Sequence, residues 1–181
     1  MARNTIYHWE GVNLYCGDHE PDKSKHLVIK NFKLEAFRET MVDHRAGGAM
    51  VATEFAVGIE KFGATFAFFG TDPDMVGLFG LGSIDRHIYT GYNAFRDLQS
   101  GKIIQRKLII EARLGSIEED QFEKGSAMGA NYALNEIMHF EEWWEGRTEP
   151  LKEWDFFTGG WKVGGVDQAA AFNRALALPN G

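Results

Sequence analysis

Two runs of alternating residues joined by a short turn constrain this chain more than any other feature. Along 103–114, Ile104, Leu108, Ile110, Ala112 and Leu114 fall on one side, with Arg106 as the exception. Gln105, Lys107, Glu111 and Arg113 fall on the other, with Ile109 among them. A period of two over that length marks a strand buried on one face and polar on the other. The run 86–97 precedes it, and Gln99-Ser100-Gly101-Lys102 is a turn sequence, so the two runs form an antiparallel hairpin.

Other strand-like runs flank that hairpin. Residues 6–15 read as an aromatic-rich edge or arm strand interrupted by Gly11, and 17–25 as a polar turn carrying Pro21. In the strand predicted over 27–38, Phe32, Leu34 and Ala36 share a face. Strand patterning returns at 53–57, 63–69, 130–144 and 151–157, with an acidic, Gly-flanked loop at 116–129. Asp72 as N-cap, Pro73 at the first helical position and Gly80 past the end predict one short helix. Asp167 caps a second, with Ala169, Phe172, Ala175 and Leu176 along one side.

The expected fold is therefore mainly β: an antiparallel β-sandwich or barrel with one or two short helices, a long inter-strand loop and terminal arms. One domain fills 1–181, with a β core over about 1–157, a loop at 39–52 and a C-terminal arm over about 158–181. The loop carries Met41, Val42, Asp43, Arg45, Gly47, Gly48 and Met50 and shows no steady period. Loops of that length inside a compact domain are usually functional or disordered. Apolar residues held in one are either tucked under the domain or offered to a partner. The arm, loosened by Gly159-Gly160 and Gly164-Gly165, offers Trp161, Val163, Val166, Phe172 and Leu176 in the same way.

Composition narrows the function classes. The net charge of −7 argues against tight nucleic-acid binding, which draws on a basic patch. No apolar run approaches a membrane span and the N-terminus has no signal-peptide core, so the expectation is a chain made in the cytosol with no membrane anchor. The single Cys16 excludes a disulfide within the chain; it reads as a half-buried thiol or as a thiol that bridges two copies.

Motifs for chemistry are sparse. Cys16 and His19 have a zinc-like spacing but no second pair, so no metal site is expected, and no nucleotide-binding glycine motif or nucleophile elbow is present. Glu141, Glu142 and Glu145 around Trp143-Trp144 are the one enzyme-like cluster, since paired acids beside an aromatic ring suit a sugar. Adjacent strand residues point to opposite faces, however, so Glu141 and Glu142 cannot both address one bond. The expectation is no catalytic residue and no cofactor.

An ordered set of segments carries a resemblance. Lys33-Leu34-Glu35, the run from Arg45 through Gly47-Gly48 to Met50, Gly58-Ile59-Glu60-Lys61, DPDMVGLFG from Asp72 to Gly80, and Gly164-Gly165-Val166-Asp167 together resemble the major tail tube protein of contractile-tailed bacteriophages. The resemblance implies a passive structural subunit that joins edge to edge into hexameric rings, stacked as a tube inside a contractile sheath. Residues 41–50 would be the ring-stacking loop, bent at Arg45 and Gly47-Gly48 with positive-φ freedom from glycine. Implied partners are further copies of the chain, the sheath, baseplate and tail terminator proteins, and transiently the tape measure protein and genomic DNA in the lumen. The implied location is the virion tail, assembled in the bacterial cytoplasm. A contractile bacteriocin or type VI-like secretion tube would use a similar subunit. A monomeric carbohydrate-binding or hydrolytic β-protein is the alternative from a different class.

Overall fold

The computed structural model describes residues 5–17, 20–80, 85–121 and 123–178. In chain order the elements are β1 (Tyr7–Cys16), β2 (Ile29–Leu34), β3 (Glu39–His44), β4 (Thr53–Ile59), β5 (Ala64–Phe68), α1 (Pro73–Gly77), β6 (His87–Asp97) and β7 (Ile103–Glu119). They continue with β8 (Ala130–Trp144), β9 (Lys152–Asp155), β10 (Gly160–Val163), β11 (Val166–Asp167) and α2 (Ala170–Ala175). The fold is mainly β, antiparallel throughout, with two short helices, as the alternation predicts.

The main sheet runs β1-β6-β7-β8-β9-β10-β11. The predicted hairpin is its spine: β6 and β7 pair from His87↔Ala112 to Arg96↔Ile103. Asp97 fixes their turn, accepting from the Gln99 backbone N–H at 2.8 Å, from the Ser100 hydroxyl at 2.8 Å, and from the Thr5 hydroxyl. The hydroxyls of Thr5 and Ser100 are the main reason its carboxyl is lowered to about 2.

Strand β8 serves two neighbours. Its first part, Ala130–Leu134, pairs with β5, and His139–Glu142 pairs with β9. The changeover falls where the β7–β8 register slips twice, between Glu111 and Arg113 and between Leu114 and Ser116. Bulges of this kind bend a sheet and raise its twist. A side chain at Gly115 would collide with Asn135 there. Glu136, at φ 51°, takes a conformation uncommon outside glycine, and Arg86 (2.6 Å) and Arg113 (3.2 Å) both hold its carboxylate.

The bend lets β2 and β5 fold across the inner face of β6 and β7. Phe32 of β2 lies flat against Gly91 of β6, where a Cβ would stand 3.0 Å from its ring. Leu14, Leu108, Ile110, Leu134 and Phe140 fill the space between, and Phe66 stacks on Tyr132 at 5.0 Å. Helix α1 closes one end with buried Met75; Asp72 caps it, accepting from the Asp74 and Met75 backbone N–H groups, and also pairs with Lys25 at 2.6 Å.

Four expectations need correction. Residues 39–52 are not a loop: β3 and β4 pair as a separate two-stranded ribbon, joined by 45–52. The alternation that betrays a strand comes from burying one face, and this ribbon buries neither. Residues 158–163 are not part of a loose arm, because β10 continues the sheet against β9. Finally, β7 extends to Glu119 by pairing with the start of β8, and α1 ends at Gly77, before Gly80. The sequence between Gly80 and the 86–97 run reads as a turn at 81–85, of which 81–84 lie outside the described residues.

Phe32 is 2 % exposed and joins the two layers. Phe32→Ala is expected to cost about 3–5 kcal/mol of stability in urea unfolding; a cost under about 1 kcal/mol would mean the layers are held together elsewhere.

Candidate assembly surfaces

The ribbon is anchored only at its root. Phe37 precedes β3 and Phe62 follows β4, and their rings meet at 4.8 Å. Both pack on Phe140, with Trp161 against Phe37 and Trp154 against Phe62. Backbone bonds from Glu60 N–H to the Arg38 carbonyl (2.8 Å) and from Glu35 N–H to the Gly63 carbonyl (2.8 Å) complete the neck. Beyond it, all six residues of β3 and all seven of β4 are exposed. Pairing of Val42 with Phe55 and of Asp43 with Glu54 gives the ribbon two unlike faces. Val42, His44, Thr53 and Phe55 make one; Met41, Asp43, Glu54 and Ala56 make the other, and the register shift between Thr40 and Met41 leaves Val57 unpaired and sets Ile59 opposite Glu39, on the Met41 side.

Every residue predicted for the stacking segment therefore sits on this ribbon or its tip. Met41 and Val42 are half-exposed on β3, Asp43 follows, and Arg45, Gly47 and Gly48 lie in the connection. Met50 is 95 % exposed, with Val51 beside it at 79 %. The expected positive-φ bend at Gly47-Gly48 is absent; a Cβ at either position would meet nothing.

The C-terminal candidates divide. Trp161 turns inward against Phe37 and, with Ile59, Ile137 and Trp154, lines a cleft of about 610 Å³ at the ribbon root. Val163 ends β10, paired on both sides, and Val166 begins the edge strand β11, with both side chains exposed; Phe172 and Leu176 point outward from α2 at 66 % and 55 %. Phe172 and Leu176 share one exposed side of the helix, while buried Asn173 faces the body, its amide donating to the Gly159 carbonyl at 3.3 Å. Cys16 lies opposite Tyr89 and packs against the core; burial raises its thiol to about 11, so it is protonated and turned away from solvent. His19 lies outside the described residues.

The acidic stretch 136–155 splits between the two faces of the sheet. Glu142 points inward and is buried, accepting from Arg106 Nε (3.0 Å) and from Trp144 Nε1 (2.8 Å). That contact explains the lone arginine on the apolar side of β7. Glu141 points outward with Trp143, so the two acids are on opposite sides of the strand, as the alternation requires. Lys107 lies over the Trp143 ring at 5.7 Å.

Sequence reading missed the cluster around His139. Its ring bridges Glu141 (2.8 Å) and Asp155 (3.1 Å), contributed by neighbouring strands. The Glu141 hydrogen bond, with Asp155 behind it and burial opposing, raises the imidazole to about 9. Glu141 is lowered in turn, chiefly by His139. Burial opposes the lowering of Asp155, but bonds from Thr158 and His139 prevail. Only the spacing of His139 and Glu141, two apart on one strand face, hinted at this.

Among the cavities on the inner face, one gathers charged side chains from four strands. Of about 350 Å³, it is lined by Trp9, Phe32, Phe37, Asn93, Arg106, Glu142 and Lys152 among others. Among the described residues no group of His, Cys, Asp and Glu is placed to hold a metal, and no helix is long and apolar enough to cross a membrane.

Comparison with known proteins places the whole arrangement. The family described as phage tail tube protein FII matches residues 22–176. A chain of the anti-feeding prophage baseplate has the same fold: TM-score 0.51, 11 % identity, covering 79 % of this chain and 97 % of that one. A chain of the sheath–tube complex of the PVC extracellular contractile injection system, in its extended state, aligns at TM-score 0.48 and 10 % identity, covering 70 % and 86 %. No curated protein matches.

A pH dependence follows from His139. Its folded pKa lies above the ordinary 6.5, so its contribution to stability is complete below that pH and fades as pH rises through about 9. His139→Gln should flatten the loss of melting temperature between pH 6.5 and 9; an unchanged slope would contradict the bridge.

Proposed function

This chain belongs to the phage tail tube protein FII family, and from that premise we propose that it is the repeating subunit of the inner tube of a contractile tail. Copies join edge to edge into hexameric rings, and the rings stack into a conduit through which DNA is ejected. The observation that carries this reading is the β3–β4 ribbon, whose strand residues are all exposed. A lone two-stranded ribbon is at best marginal in water. Exposed Val42 and Phe55, paired on one face, with exposed Val57 and Ile59 further along β4, give it apolar surface that a neighbour would cover.

The sheet has the form the role needs. It ends in β1 on one side and β11 on the other, and unpaired strand edges are templates for pairing with another copy. Its outward face carries Glu111, Glu141, Glu153 and Asp155 between β7 and β9, beside Lys107, His139 and Lys162, a mixed face with no basic patch to grip phosphate. We assign that face to the lumen. The exposed valines of β10 and β11 and the outward residues of α2 (Val163, Val166, Phe172, Leu176) serve contacts between subunits or with a surrounding sheath. Baseplate and terminator proteins cap the tube, and the tape measure protein occupies the lumen before DNA. The role is structural, without catalysis, and its place is the tail of the particle.

Purified chain, concentrated and imaged by negative stain after size exclusion, should give rings or tubes. Gly47→Val with Gly48→Val should keep the fold, since neither new side chain meets anything in the monomer, yet raise the concentration needed for assembly about tenfold. A compact monomer at every concentration would overturn the reading.

A further inference from the structure

The geometry points to a docking partner for the ribbon: we propose that the acidic pair Asp43–Glu54 of one copy seats at the mouth of the inner-face cavity of a second copy. This rests on the tube-subunit reading and names the surface that receives the ribbon.

The cavity is short of negative charge. Arg106 at 3.0 Å and Lys152 at 4.0 Å share the single buried carboxylate of Glu142. Lys33 and Glu35, also in the lining, cancel one another. One positive charge is therefore in surplus, on a chain whose net charge is −7. Asn93 supplies a second, independent sign of a ligand: it is 1 % exposed, lies in the same lining, and neither amide atom has a hydrogen-bond partner among the described residues. A buried amide left so costs stability unless something pairs with it.

The ribbon is short of positive charge. Asp43 and Glu54 stand directly opposite each other across the two strands, and among the described residues no cation pairs with either. Like charges in that relation are destabilising. A cation from outside removes the repulsion, and the cavity holds one at its mouth: the Lys152 ammonium, 4.4 Å over the Phe37 ring.

The donor must be a different copy. Phe37 both lines the cavity and begins the ribbon, so the ribbon leaves from the cavity's own rim. Asp43 lies six residues further on, about 20 Å along an extended strand. One patch meeting an unlike patch on the next molecule is a head-to-tail contact, the kind that builds rings and stacks.

A double-mutant cycle tests the contact, reading the concentration at which tubes sediment. Glu54→Gln should keep the melting profile, Lys152→Gln should lower it while Arg106 and Trp144 still hold Glu142, and each, read below both melting transitions, should raise that concentration about three- to tenfold. The double variant should lie within about twofold of the worse single variant, because both remove one contact. Multiplying losses, or single variants that assemble normally, would overturn the docking while leaving the tube reading intact. An unaltered chain that never assembles would overturn the tube reading and this inference with it.

Discussion

A two-stranded ribbon that buries no side chain is the constraint on which this structure turns. Backbone hydrogen bonds within a single pair of strands do not offset the entropy of ordering them. The chain nonetheless invests heavily in the ribbon's root. Phe37, Phe62, Phe140, Trp154 and Trp161 converge there, and Gly63 is buried against Glu35 and the Leu134 carbonyl, where a side chain would not fit. A rigid neck under an uncovered ribbon makes sense only if the ribbon's surface is completed by something else. In a tube of identical subunits that something is the next copy.

The body behind the neck is arranged to hold still. β8 is shared between β5 and β9, and the double bulge opposite Glu136 lets one long strand serve both layers. The buried carboxylate of Glu142 is matched by Arg106 and Trp144, and the exposed one of Glu136 by Arg86 and Arg113. Asn93 is not matched, nor are the hydroxyls of Tyr89, Thr90 and Tyr132, and Asn93 lies in a cavity with a surplus positive charge. On the outward face His139 joins β8 to β9 through two carboxylates, stiffening the wall and removing part of its negative charge at neutral pH.

What could be read from the chain beforehand tracks burial. The β6–β7 hairpin was legible because Leu108, Ile110, Ala112 and Leu114 all face the core, and burial is what alternation records. α1 was legible because Asp72 and Pro73 are local signals. β3 was not, since Met41, Val42 and Asp43 bury neither face and leave no period to detect. The inward side of α2 was not legible either: its buried residue is Asn173, and the apolar Phe172 and Leu176 look outward, so the rule that apolar means inside gives no guide there. The segment expected to stack as a loop folds instead as a two-stranded ribbon with an exposed connection. The cavity was invisible, because Asn93, Arg106, Glu142 and Lys152 come together from four strands.

Amide hydrogen exchange, compared between dilute single subunits and assembled material, tests the central claim most directly. If neighbouring copies complete the ribbon, the amides of β3 and β4 exchange freely in the single subunit while β6–β8 stay protected, and become protected on assembly. Ribbon amides as protected in the single subunit as those of β7, or still unprotected after assembly, would contradict the account.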